Sequence, residues 1–145
     1  MLIRSSPLVS ALQAAGVLFN KSSILKFPGE DIVPQELIID FIRGYFDGDG
    51  CFTYHIDKNN KVHAAIKICG TEDMCVHIDS LLSAKPHKLY KRHESSVNNY
   101  CLDIGGTKQV IRIMSRLYEN ASRFLERKRD KFNEFTQLYY SRPHR

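Results

Sequence analysis

The sequence predicts an α+β fold in which helices gather on one face of an antiparallel sheet, and three observations predict it. Apolar residues recur every three or four positions over 35–49 and again from Val110 to Tyr118, the spacing of amphipathic helices. Segments 51–69 and 87–104 instead alternate apolar and polar residues around central turn formers, the pattern of two β-hairpins. A third helical run over 72–84 separates the hairpins, so the order from residue 35 is helix, strand, strand, helix, strand, strand, helix, helix. Strands joined as hairpins pair antiparallel, with one face packed and the other free.

Each element has its own signal. Ser6-Pro7 opens a short helix that Gly16 ends, a hydroxyl cap followed by Pro in the first turn and Gly at the exit. An extended link follows through Ile24 to Phe27, punctuated by Pro28-Gly29 and Pro34, so residues 1–33 read as an N-terminal arm and 34–145 as the main domain. Leu37, Ile38, Phe41, Ile42, Tyr45 and Phe46 then share one wide helical face that runs to about Asp49. After Gly50, the run Cys-Phe-Thr-Tyr-His-Ile alternates, Asp57 to Lys61 forms a turn, and Val62 to Cys69 alternates again. Thr71 caps the next helix, whose apolar face is Met74, Ile78, Leu81 and Leu82. The second hairpin pairs 87–93 with 97–104 around Glu94-Ser95-Ser96, and Gly105-Gly106 ends it. Val110, Ile113, Met114, Leu117 and Tyr118 line one C-terminal helix, and Phe124, Phe132, Phe135 and Leu138 belong to another.

Composition narrows the function classes. With 145 residues, 43% of them hydrophobic, the chain can bury a core without disulfide or metal staples. No apolar run approaches the roughly 20 residues of a membrane-spanning helix, and no membrane role is expected. The net charge of +5 is concentrated: residues 1–50 carry −2, 51–105 carry +1 and 106–145 carry +6. A basic segment on a near-neutral body suits a polyanion, although a solvated helix face has the same composition. Cys51, Cys69, Cys75 and Cys101 show no zinc-module spacing, which fits reduced thiols and a cytoplasmic location. Gln13 and two serines interrupt the apolar N-terminal run that would otherwise imitate a secretory signal.

The segment Ile42-Arg-Gly-Tyr-Phe-Asp-Gly-Asp-Gly50 carries the chemistry. Gly44 and Gly48 lie four apart on one helix face, where a missing Cβ lets another backbone come close. Each costs about 1 kcal/mol against Ala within a helix, which asks for a return. Asp47 and Asp49 follow at the helix C-terminus, where the macrodipole disfavours an acid and a bound cation would reverse the penalty. Taken alone, Asp-Gly-Asp-Gly reads first as a polar turn joining helix to strand. It is not an EF-hand loop, because Cys51 and Phe52 occupy the positions that would need a ligand and a glycine.

In its company of a two-glycine apolar helix, two hairpins and a basic C-terminal segment, the motif resembles that of the LAGLIDADG homing endonucleases. Gly44, Asp47, Asp49 and Gly50 match the motif's glycines and acids, Ile42, Tyr45 and Phe46 are apolar substitutes, and Arg43 stands where the motif has a small residue. The resemblance covers about residues 34–140 and implies an αββαββα core with a four-stranded, saddle-shaped antiparallel sheet, plus the arm and a C-terminal helix. It implies that two motif helices meet through glycines corresponding to Gly44 and Gly48, and that Asp49 reaches the scissile phosphates with Mg²⁺ or Mn²⁺. Asp47 would orient the turn, with metal ligation as its second reading. Phe124-Leu-Glu-Arg-Lys128 looks like the family's segment that brings a basic residue to the site, which makes Lys128 a candidate catalytic residue acting on water or phosphate. An ordinary solvated lysine is the alternative.

The free sheet face would meet double-stranded DNA. Alternation puts Thr53, His55, Lys61, His63, Lys67, Lys88, Tyr90, Arg92 and Asn99 outward, where a twisted ribbon can read base edges in the major groove. One motif is present where the mechanism needs two. The resemblance therefore implies either a homodimer, or a second LAGLIDADG half if the chain is the C-terminal part of a longer protein of bacterial or phage type, as residues 3–34 suggest; an organellar origin stays open. The expected activity is site-specific phosphodiester hydrolysis of the intron-homing kind at a long target. A non-cleaving DNA-binding regulator or an RNA maturase on the same fold is the alternative.

Overall fold

In the computed structural model, which describes residues 5–14, 23–95 and 97–142, the predicted order is found. Helix α1 spans Ser6–Ala14; a 3-10 turn at Gln35–Leu37 leads into α2, Ile38–Asp49. Strands β1 (Gly50–Ile56) and β2 (Val62–Gly70) form the first hairpin, α3 covers Glu72–Leu82, and β3 (Lys88–Lys91) and β4 (Tyr100–Gly105) form the second. Helices α4 (Thr107–Tyr118) and α5 (Glu126–Tyr140) close the chain. The sheet is four-stranded and antiparallel in the order β1-β2-β4-β3. Among the described residues no helix is long and apolar enough to cross a membrane. The exit expected at Gly16 and the turn residue Ser96 lie outside the described residues.

The core lies between the inner sheet face and the helices. Phe52, Val62, Ala64, Ile66, Ile68, Leu102 and Ile104 point inward, as period-two alternation requires, and meet Ile42 and Phe46 of α2, Met74 and Ile78 of α3, and Ile113 and Leu117 of α4. Phe135 of α5 packs edge-on against Phe52 at 5.3 Å.

Three boundaries differ from expectation, each for a tertiary reason. Phe124 precedes α5 instead of lying within it, and sits over Tyr118 at 6.4 Å. The strands of the second hairpin are shorter than 87–93 and 97–104 because its tip folds sideways: Asn98, at φ 49°, accepts from Glu72 N and donates to Ser23 O. Helix α3 stops at Leu82 instead of 84, and the Asp79 carboxylate draws the following loop back by accepting from His87 N at 2.7 Å. Thr71 caps α3 as expected, accepting from Met74 N at 3.2 Å. Its hydroxyl proton goes to Leu25 O at 2.6 Å, and Phe27 N donates to Asp73 at 2.7 Å, so residues 25–27 of the arm are strapped to the start of α3.

Candidate active site and nucleic-acid face

The site is built at the end of α2. The amide of Gly50 closes the helix on Phe46 O, and the chain turns at once into β1. A Cβ on Gly50 would lie 2.5 Å from that same carbonyl and strike the Phe46 ring, so the turn needs glycine for space. Asp49 is exposed at the turn, and no described residue hydrogen-bonds its carboxylate. Asp47 is engaged on both oxygens: Tyr118 donates its hydroxyl proton to Oδ1 at 2.5 Å and Leu125 N donates to Oδ2 at 2.8 Å. Burial and this carboxylate push the Tyr118 phenol up from its ordinary range.

Lys128 comes to the same helix end from α5. It is only 6% exposed, and its ammonium donates to the backbone carbonyls of Phe46, Asp47 and Gly50, the Asp47 bond being 3.0 Å. Asp47 O is among the last carbonyls of the helix, Phe46 O already accepts from Gly50 N, and Gly50 O opens β1, so Lys128 caps α2 where it turns into the strand and offsets the negative end of its dipole. Burial holds the amine below its ordinary range. Lys131, one turn on, donates to Phe52 O at 2.9 Å and ties β1 to α5 in the same way.

Sequence reasoning missed Arg43 and Tyr118 as parts of the site. Arg43 is 7% exposed and points away from the glycine face, with Nε donating to Arg123 O at 2.9 Å, a second nitrogen to Leu117 O at 3.2 Å and a third to Asp40. Its size therefore does not obstruct that face. The signal that could have found it is a charged residue within the apolar register of α2; Tyr118 carried none beyond its polar tip.

The glycine face is open. Gly44 and Gly48 are exposed, and a Cβ on either would meet nothing within 4 Å among the described residues. Leu37 on the same side is 49% exposed, while Phe41 and Tyr45 are half-buried.

The sheet register gathers the expected outward residues. Cα partners His55↔His63, Thr53↔Ala65 and Cys51↔Lys67 place Thr53, His55, His63 and Lys67 on one face, and Lys67↔Asp103↔Lys88 and Tyr90↔Cys101 continue it across the sheet. His55 and His63 stack at 5.0 Å, and His63 bonds Asp57 at 2.9 Å. That bond and the Lys61 amide hold the Asp57 carboxyl below its ordinary range. Lys67 pairs with Asp103 at 3.5 Å, and Lys88 lies 5.6 Å from the Tyr90 ring. Lys61 lies in the β1–β2 turn, and Arg92 and Asn99 extend the second hairpin through an Arg92 N to Asn99 O bond of 3.0 Å. Among the described residues no group of three or more His, Cys, Asp or Glu could hold a metal ion. A hard cation needs less: one or two carboxylates completed by water and phosphate oxygens. Exposed Asp49 fits that demand, and Asp47, with both oxygens engaged, serves to orient the turn.

No family model and no curated protein matches the sequence. Solved structures do. The homing endonuclease I-TnaI is 17% identical with a TM-score of 0.53, over 70% of this chain and 71% of that one. I-CvuI, in complex with the I-CreI target, is 16% identical with a TM-score of 0.55, over 70% and 65%. The archaeal intron-encoded homing endonuclease I-Vdi141I, complexed with DNA, is 14% identical with a TM-score of 0.53, over 71% and 67%. The chain thus spans about two thirds of the length of these proteins. A motif helix running into paired hairpins, the β1-β2-β4-β3 order and these matches give the chain the fold of the LAGLIDADG homing endonucleases, which its motif resembles.

Proposed function

We propose that the protein is a sequence-specific, metal-dependent double-stranded DNA endonuclease of the homing type, acting as a homodimer or with a second LAGLIDADG half. The observation that carries this reading is the pairing of an open glycine face on α2 with an exposed Asp49, at the end of the same helix, whose carboxylate has no hydrogen-bond partner among the described residues. Nothing among the described residues requires glycine at 44 and 48, which supports a second helix as the reason for them. Bringing two such helices together places two Asp49 carboxylates side by side, and like charges in contact favour a shared cation. Asp49 from each half would hold Mg²⁺ or Mn²⁺, which when bound polarises phosphate oxygens and lowers the pKa of water. Asp47, held by Tyr118 and Leu125, keeps the turn in place, and Lys128 holds the carbonyls beneath it. The outward lysines, His55, His63 and Tyr90 supply phosphate and base contacts along the sheet.

The test is the mass in solution, followed by incubation with a randomised duplex library and Mg²⁺ and sequencing of new ends. A dimer that enriches one long cut site is expected. The engagement of Lys128 by backbone carbonyls is the one observation that favours the non-cleaving regulator or the maturase. Duplex retained without new ends would establish the first, and preference for structured RNA the second.

A further inference from the structure

Cys69 of β2 and Cys101 of β4 are direct cross-strand partners on the open face of the sheet, and their sulfur atoms lie 3.3 Å apart. We propose that Cys69 and Cys101 form a dithiol–disulfide site on this face, which closes by exchange with a small-molecule disulfide of the oxidised glutathione class.

Geometry carries the inference. Opposed residues of an antiparallel pair have Cα atoms about 4.5–5.5 Å apart, inside the roughly 4.4–6.8 Å range that disulfides span. The sulfurs must close from 3.3 Å to about 2.05 Å, a movement that side-chain rotation supplies while the strands stay paired. The other thiols do not compete. Cys75 is fully buried on α3 with its thiol toward Ile68 O at 3.7 Å, and Cys51 lies on β1 opposite Lys67.

The chemistry balances without an electron acceptor beyond the disulfide itself. Half-buried Cys69, as thiolate, attacks one sulfur of the small disulfide, forming a mixed disulfide and releasing one thiolate. Cys101, 4% exposed and already in contact, then displaces the second thiolate from Cys69. The two protein protons pass to the two released thiolates, so the protein is oxidised by two electrons and the small disulfide is reduced to two thiols. Burial pushes the Cys69 thiol up to about 11, so exchange is slow at neutral pH and accelerates roughly tenfold per pH unit below that value. Closure also removes the free Cys101 thiol directly opposite Tyr90, which changes the middle of the open face.

The experiment incubates the full folded chain with oxidised glutathione at pH 8, quenches with acid, and reads intact mass and peptide map. The expected product is lighter by two hydrogens, links the peptides of Cys69 and Cys101, and is reversed by dithiothreitol. Cys51→Ser should leave the product unchanged, whereas Cys101→Ala should abolish it and leave a glutathione adduct on Cys69. If Cys51 alone carries glutathione while Cys69 and Cys101 are both still alkylated after quenching and unfolding, or if the link joins Cys51 or Cys75 instead, the proposal is overturned. None of these readouts depends on DNA binding.

Discussion

Tyr118 at the end of α4 donates its hydroxyl proton to Asp47 near the end of α2 at 2.5 Å, and so joins two helix ends 71 residues apart in the chain. With Leu125 N on the other carboxylate oxygen, Asp47 is clamped from both sides of the α4–α5 connection. The turn that presents Asp49 is thereby held by the buried Tyr118 side chain and a backbone amide.

Tyr118→Phe should lower stability by about 1 kcal/mol, the net worth of one such bond. The pH dependence has a definite sign. The phenol is raised in the folded state by burial and by Asp47, so its contribution is full below the unfolded value near 10 and fades as pH rises past it. Denaturant melts at pH 7 and pH 11 should show the wild type losing its advantage over Tyr118→Phe at the higher pH. An equal gap at both would remove the bond from the stability of the fold.

Lys128→Met should destabilise the protein by about 2 kcal/mol or more, because buried carbonyls at the end of α2 lose a charged donor. Cleavage should slow as the Asp49 turn loosens, with DNA affinity little changed. Thermal melting separates this positioning role from direct action on phosphate: normal stability with lost cleavage would assign Lys128 to the reacting groups instead.

Gly44→Leu and Gly48→Leu should behave oppositely in the fold and in the assembly. Space among the described residues is open at both positions and leucine is the better helix former, so the single chain should keep or gain stability, by up to about 1 kcal/mol. Overpacking at a backbone contact should break the dimer and stop double-strand cleavage together. Light scattering on each variant decides it, and an intact dimer would move the interface elsewhere.

Asp49→Asn should abolish strand cleavage in Mg²⁺ while keeping DNA affinity within about tenfold, since an amide preserves shape but is a poor ligand for a hard cation. A gel-shift titration beside a cleavage assay reads both. Cleavage at the normal rate would remove Asp49 from the mechanism.

The sequence by itself determined the order of elements, the two faces of the sheet and the place of Asp49, because these follow from periods of 3.6 and 2 and from turn chemistry that act over a few residues. Alternation put His55, His63, Lys67, Lys88 and Tyr90 outward, and the strand register puts them there. Only the tertiary structure decided what the polar ends of Arg43, Tyr118 and Lys128 touch. Apart from the Asp40 carboxylate beside Arg43, their partners lie 71 to 82 residues away in sequence, and no local pattern records a bond made across that distance. Lys128 shows the physical reason: a solvated lysine and a buried one have the same place in the helical repeat. Desolvating an ammonium is tolerated here because backbone carbonyls at the end of another helix and the start of β1 lie within reach, a circumstance created by packing alone.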